Sequence, residues 1–311
     1  MTYEQLLDYL NKNDERILKN TGVFAIGIGK DSKGEYLLHI YTDDAESLKK
    51  SNRLEEILSD SENPPYEIIE EEAPQKDILY MDDEILAREM QSKESVIGDD
   101  YGRYRPMLGG IQIHLRNGNI SWFGTLGCFV KSKDKTDRNL YLLSNRHVLE
   151  AVGLAVNQPL MAAQNIIATT CRVEEYEDTD AALALVNDPD AVAPHLIQQI
   201  GEVTQSRELT KDDIGKRVCK RGRTTAYTEG TISSIHTSVK VDGVTRKDCV
   251  TVMADPKKLF SNAGDSGSPV VLCDENTLVG LHFASNRQLG GHAYCCKVSN
   301  VFDHYEVKLP D

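Results

Sequence analysis

Two hydrophobic rhythms divide the chain. In the first stretch, Leu6, Leu7, Leu10, Ile17 and Leu18 recur at roughly helical spacing and predict a helix over 3–19. Residues 22–30 read as a strand, 31–34 as a turn and 36–41 as the hairpin partner. Leu48, Leu54, Ile57 and Leu58 predict a helix over 45–58, which Pro64 and Pro65 bring to an end before a further strand at 66–69. The expectation is a small α/β module over 1–80. The string Gly27-Ile28-Gly29-Lys30 lacks the rest of a phosphate-binding loop and precedes a turn rather than a helix, so it reads as part of the hairpin.

A connector is expected over 81–105, with a short helix at 82–92. Beyond it the rhythm changes to short apolar runs separated by turn residues: 111–115, 121–131, 139–143, 170–176, 181–186, 216–221, 228–236, 249–253, 269–273, 278–283 and 292–298. So many short strands predict a mainly β domain over 106–309. Two barrels, at about 106–188 and 212–305, would hold a cleft between them, with 188–211 crossing from one to the other.

Charge sharpens the division. Residues 1–100 carry 25 acidic and 11 basic side chains, which is −14, and the remainder carries 24 of each, so the whole net charge of −14 lies in the first third. An acidic chain without a basic stripe is a poor nucleic-acid binder. Seven scattered cysteines, an odd number without regular spacing, do not form a disulfide framework and read as reduced, mostly buried thiols. The first residues are charged rather than apolar, and no run is long enough to span a membrane, so a cytoplasmic protein without membrane partners is expected. No spacing calls for a metal or a cofactor.

Candidate chemistry centres on Asn262-Ala263-Gly264-Asp265-Ser266-Gly267-Ser268-Pro269, which runs into the apolar Val270-Val271-Leu272. A serine hydroxyl is a weak nucleophile until a base takes its proton, and the oxyanion it creates needs donors already in place. Glycines beside it allow the N–H groups of Gly264 and Ser266 to form a small cup. Position 268 is serine, so the stretch is not the G-x-S-x-G elbow of an α/β-hydrolase. A base is available in Ser144-Asn145-Arg146-His147-Val148, after a strand-like run. An acid is available in Asp178-Thr179-Asp180-Ala181-Ala182, before another. The order histidine, aspartate, serine is that of the chymotrypsin arrangement.

At these residues the chain resembles the trypsin/chymotrypsin-like serine proteases. The strings R-P-M-L-G-G-I, F-G-T-L-G-C-F-V, Y-L-L-S-N-R-H-V-L, K-R-G-R-T-T and G-D-S-G-S-P follow one another behind an acidic α/β module. They resemble the subgroup typified by the plant narrow-leaf protein, over about 20–305. Arg146, where relatives often carry asparagine, and Ala226, where glycine usually follows K-x-G-R-T-T, depart from that pattern.

The resemblance implies a chymotrypsin-like double β-barrel and a serine endopeptidase acting on protein or peptide substrates. Ser266 would be the nucleophile, His147 the base and Asp180 the orienting acid, with Asp178 as the rival acid. Gly264 and Ser266 would form the oxyanion hole. His282 matches the histidine of glutamyl endopeptidases, and Ser261, Phe283, Ser285 and His292 are further candidates for the specificity pocket. Phe260 argues against a trypsin-like pocket. A preference for Glu, Gln or Asp before the cut bond follows. Asp265 needs a partner, because secreted relatives pair it with a freshly cut N-terminal ammonium. Another cation satisfies it, or an activating protein partner orders it through the N-terminal module. The alternative is a non-catalytic peptide-binding or scaffold module using the same cleft.

Overall fold

The computed structural model describes residues 1–20, 22–59, 63–82 and 102–311. Six strands of the C-terminal half close on themselves. Arg217–Gly222 pairs with Pro269–Leu272, which pairs with Thr277–Ser285, then His292–Lys297, Val244–Ala254 and Ala226–Val241, and the last returns to Arg217–Gly222. Val218, Ile232, Val250, Val252, Val270 and Val279 fill this second barrel. β-Branched residues suit a pleated, buried surface, which is why these runs form strands.

The first barrel grows from a nine-stranded sheet in which Cys128–Ser132, Leu140–Ser144, Ala182–Val186, Ile166–Arg172, Ala155–Asn157, Gln112–Asn117 and Ile120–Thr125 are successive neighbours. Ile113, Leu115, Phe129, Leu142 and Leu149 fill it. A third apolar cluster, with Leu143, Leu183, Val271, Leu281 and Phe283, seals the two barrels against each other. The fold is thus mainly β, a chymotrypsin-like double barrel behind a small α/β segment.

That α/β segment is built onto the second barrel. Ala226–Val241 runs past the barrel wall, and its far half pairs with Val23–Lys30, for example Ala25 with Val239 and Gly29 with Ser234. Tyr36–Thr42 and Tyr66–Glu70 extend the same sheet. The helix Tyr3–Asn20 lays Leu6, Leu10, Ile17 and Leu18 on this layer, in one cluster with the barrel's own core. Burying each such side chain stabilises the fold by roughly 1.5–3 kcal/mol.

Several predicted elements differ in detail. The helix over 45–58 is two helices, Ala45–Lys50 and Arg53–Ser59, parted where Asn52 adopts a left-handed φ of 52°. Asparagine tolerates that conformation, so the chain can turn there. The strand over 121–131 is likewise two, broken at Leu126 and Gly127, where the chain passes from pairing with Gln112–Asn117 to pairing with Leu140–Ser144 and the two N–H groups bond to Ile111 and Leu143. The helix expected at 82–92 falls, from residue 83, outside the described residues, while Asp82 ends the strand Leu79–Asp82. Among the described residues no helix is long and apolar enough to cross a membrane.

Candidate active site

Each predicted participant stands at the end of a strand facing the inter-barrel cleft. After Leu140–Ser144 the chain enters the short helix Arg146–Leu149, which presents His147. Asp180 precedes Ala182–Val186, its main chain held by Asn145 Nδ2 donating to its carbonyl at 2.6 Å. Ser266 precedes Pro269–Leu272 and is fully buried.

These three side chains form one line of hydrogen bonds. Asp180 Oδ2 lies 2.7 Å from His147 Nδ1, and His147 Nε2 lies 2.8 Å from Ser266 Oγ. The backbone N–H of His147 also donates to Asp180 Oδ1, at 3.1 Å. Burial by itself would raise the Asp180 carboxyl. The electrostatic attraction of the His147 ring, its hydrogen bonds and the Arg246 cation outweigh it and hold the acid well below the usual carboxylate range. Asp180 is therefore an anion, which fixes the proton of His147 on Nδ1 and leaves Nε2 to accept from serine. Asp178, the rival acid, is bound elsewhere, at 2.7 Å from His304 Nε2. Burial pushes the thiol of Cys296, whose sulfur accepts from the Asp180 N–H, up to about 12, so it stays neutral.

The turn that carries Ser266 is tied to both barrels. The N–H of Thr125, on the first barrel, donates to the Ser266 carbonyl at 2.8 Å, and its hydroxyl donates to the Gly264 carbonyl at 3.0 Å. Gly264 has a φ of +100°, and a Cβ there would strike Thr224 Oγ1, so only glycine fits. The question of Asp265 has a direct answer. Its carboxylate meets Lys220 Nζ at 3.0 Å, both side chains fully buried, and it accepts from Thr224 N, Thr225 N, Thr225 Oγ1 and Asn262 N. Five donors satisfy the anion without any N-terminal ammonium.

The cleft itself is filled by the chain's own residues 75–82. Gln75–Lys76 pairs antiparallel with the end of Thr277–Ser285, Lys76 opposite Ala284 and Gln75 opposite Ser285. Leu79–Asp82 pairs with Ile120–Thr125 on the other barrel, Leu79 opposite Phe123. Between them Asp77 lies against Ser266. Its N–H donates to the Phe283 carbonyl at 3.2 Å, and its own carbonyl accepts from Gly264 N at 2.7 Å and Ser266 N at 2.9 Å. The two N–H groups named as a cup thus converge on one oxygen.

The Asp77 side chain points into a buried pocket. Oδ2 lies 2.8 Å from His282 Nε2 and accepts from Ser285 Oγ at 2.7 Å, and Oδ1 accepts from Arg287 Nε at 2.9 Å. Burial opposes the charge, but His282, Arg287 and to a lesser degree Ser261 prevail and hold this carboxyl below its ordinary value. Phe260 sets its ring edge-on to His282, with centroids 6.0 Å apart. Phe283 contributes its carbonyl, which also accepts from Ser266 Oγ at 3.1 Å. His292 is engaged by Glu71 Oε2 at 2.7 Å and by the ring of Tyr41.

Sequence reasoning missed Asp77, Lys220 and Arg287. Lys220 lies in the K-R-G-R-T-T string, where a lysine inside a strand of otherwise buried residues was the available signal. Arg287 and Asp77 belong to stretches without periodicity and carried none.

A mainly β double barrel whose buried serine, histidine and carboxylate are so linked is that of a chymotrypsin-like serine peptidase. Comparison with known proteins places the chain in the same company. The sequence model of peptidase family S64 matches residues 154–285. Among solved structures, the fold is similar to protease A of Thermobifida fusca, with a TM-score of 0.50 and 19% identity over 65% of this chain and 97% of that one. It is similar to a chymotrypsin of Cellulomonas bogoriensis, with a TM-score of 0.50 and 16% identity over 65% of this chain and 97% of that one. It is also similar to a glutamic acid-specific serine protease described as using a histidine triad in substrate binding, with a TM-score of 0.53 and 17% identity over 66% of this chain and 100% of that one. Compared by sequence with curated proteins, the chain matches none.

Proposed function

We propose that the chain is a serine endopeptidase of protein or peptide substrates that cuts after an acidic residue, through His147, Asp180 and Ser266. The observation that carries the acidic preference is the Asp77 carboxylate gripped by His282, Ser285 and Arg287, with its carbonyl under the Gly264 and Ser266 N–H groups. Ser266 Oγ attacks the carbonyl carbon while His147 Nε2 takes its proton. The Gly264 and Ser266 N–H groups stabilise the oxyanion, and His147 returns the proton to the leaving amine. Water then hydrolyses the ester by the same base.

A site that hydrogen-bonds a substrate group rejects substrates lacking it, because its own buried donors are left unpaired. Aspartate and glutamate are therefore preferred over glutamine, and lysine is excluded by Arg287 and His282. The acid specificity of one structural neighbour points the same way. Behind His282, Nδ1 faces Cys295 Sγ at 4.0 Å.

Peptide-library profiling tests the pocket. Cleavage after Asp or Glu is expected, and cleavage after Lys, Arg or large apolar residues would overturn the preference. A fluorophosphonate probe tests the nucleophile: once residues 75–77 no longer occupy the cleft it should label Ser266, and the label should vanish in Ser266→Ala and His147→Ala. Folded protein freed of residues 75–77 that takes no label would instead favour a peptide-binding module.

A further inference from the structure

We propose that Thr224 and Arg223 are positioning residues for the reaction, a latch that keeps the Ala263–Gly264 peptide turned with its N–H toward the substrate. This rests on reading Ser266 as the nucleophile and the Gly264 N–H as a donor of the oxyanion cup. The need for a latch comes from Gly264 itself. Its φ of +100° suits glycine and excludes a residue with a Cβ, which would strike Thr224 Oγ1. The same missing side chain lets glycine take either sign of φ, so nothing in residue 264 stops its peptide from turning over. A peptide turned over would aim the Ala263 carbonyl, rather than the Gly264 N–H, at the developing oxyanion.

Thr224 bars that turn. A trans peptide directs its N–H and C=O to opposite sides, so holding one fixes the other. On the cleft side, Gly264 N donates to the Asp77 carbonyl at 2.7 Å. On the far side, the Ala263 carbonyl accepts from Thr224 Oγ1 at 2.6 Å. A threonine hydroxyl has one proton, here directed to Ala263, and its lone pairs remain to accept. Arg223 Nη1 donates to that oxygen at 3.3 Å and so sets the direction in which the hydroxyl donates. The Thr224 main chain is fixed as well, its N–H donating to Asp265 Oδ1 at 2.7 Å. Arg223 carries the latch across to the first barrel. Its Nε donates to Gln112 Oε1 at 2.6 Å, both side chains buried, and its Cζ lies 5.2 Å from the centroid of the Phe123 ring. Its own N–H donates to Thr125 Oγ1 at 3.0 Å. Its Cδ would stand 2.9 Å from a Cβ at position 264, so the stem packs against the glycine. Lys220 and Asp265 hold the turn as a whole, while Thr224 and Arg223 orient one peptide within it.

Thr224→Val removes the hydroxyl and little else, and it tests the latch. The starting protein is the full-length chain with Asp77→Lys, which sets a cation against His282 and Arg287 and so keeps residues 75–77 out of the cleft. In that background Thr224→Val should lower kcat for a peptide cut after Asp by about 10-fold or more and change KM by less than about 2-fold. Thr224→Ser keeps the donor and should restore most of the rate. Arg223→Met keeps the stem and should lose less than Thr224→Val, in the same direction. A peptide aldehyde ending in Asp separates positioning from folding. Its adduct with Ser266 places an oxygen in the cup, whereas an uncut peptide bound to the Ser266→Ala form draws on the cup far less. Thr224→Val should weaken the aldehyde by the factor seen in kcat and leave the affinity of the uncut peptide within about 2-fold. A Thr224→Val enzyme as active as its parent, or an equal loss with both probes, would overturn the latch and leave Ser266 as the nucleophile. If the starting protein neither cuts the peptide nor binds the aldehyde, both readings fall.

Discussion

Replacing Lys220 by methionine tests what holds the oxyanion cup in shape. Lys220 and Asp265 form an ion pair with both side chains fully buried, Nζ to Oδ2 at 3.0 Å. Burial depresses the Lys220 ammonium, and Asp265 only partly restores it, so the pair as a whole adds little net stability. Removing one member is a different matter, because it strands the other. Such losses run to about 3–5 kcal/mol. Asp265 would still accept from Thr224, Thr225 and Asn262, which places Lys220→Met at the lower end, about 3 kcal/mol. The nucleophile turn would loosen with it. Losing the alignment of a cup donor lowers kcat by roughly 10²-fold or more, with a smaller effect on KM. Urea unfolding in a Ser266→Ala background measures the first effect without interference from cleavage, and peptide turnover measures the second. Lys258→Met is the control, since Lys258 lies largely exposed beside Asp255 and should change stability by less than about 0.5 kcal/mol. If Lys220→Met behaves like Lys258→Met, Asp265 is not held by Lys220.

Two further outcomes follow from groups away from the site. Burial, with the nearby His292, lowers the His39 imidazole to about 4. The unfolded chain takes up this proton below about pH 6.5 and the folded chain only below about 4, so stability present above pH 6.5 is lost as the pH falls between those values. The share from His39 is on the order of 3 kcal/mol, and denaturant midpoints for His39→Gln should lack it; parallel curves for the two proteins from pH 7 to 4 would refute this. Ala226 sits at a φ of 54°, where an L side chain costs about 1–2 kcal/mol. Ala226→Gly should therefore stabilise by several tenths of a kcal/mol after the entropy of the unfolded glycine is counted, and Ala226→Val should destabilise, both read from thermal melts.

How much of this was legible depended on where the information lay along the chain. Ser266, His147 and Asp180 were readable because each is embedded in a short string with its own local signature and because their order is diagnostic. The barrels were readable because alternation and turn residues act over a few positions. Asp77 was not, since its meaning lies in His282, 205 positions away, and nothing in Pro74-Gln75-Lys76-Asp77 shows a pairing strand. The stretch passed for the unremarkable tail of the N-terminal module for that reason. Lys220 escaped because a strand lysine ordinarily points to water, and only the three-dimensional position of Asp265 reverses that. Ala226, noted as a departure where glycine is usual, turned out to stand at a left-handed backbone position, which is the physical reason glycine suits it.

The overrun of Ala226–Val241 beyond the barrel has a practical consequence for anyone trimming the molecule. Cutting away the first strands would leave a long strand with bare N–H and C=O groups along one side, above an apolar surface that now holds Leu6, Leu10 and Ile17. Unprotected edges of that kind recruit strands from other molecules. A shortened chain starting at the barrels is therefore expected to aggregate rather than report on the peptidase alone.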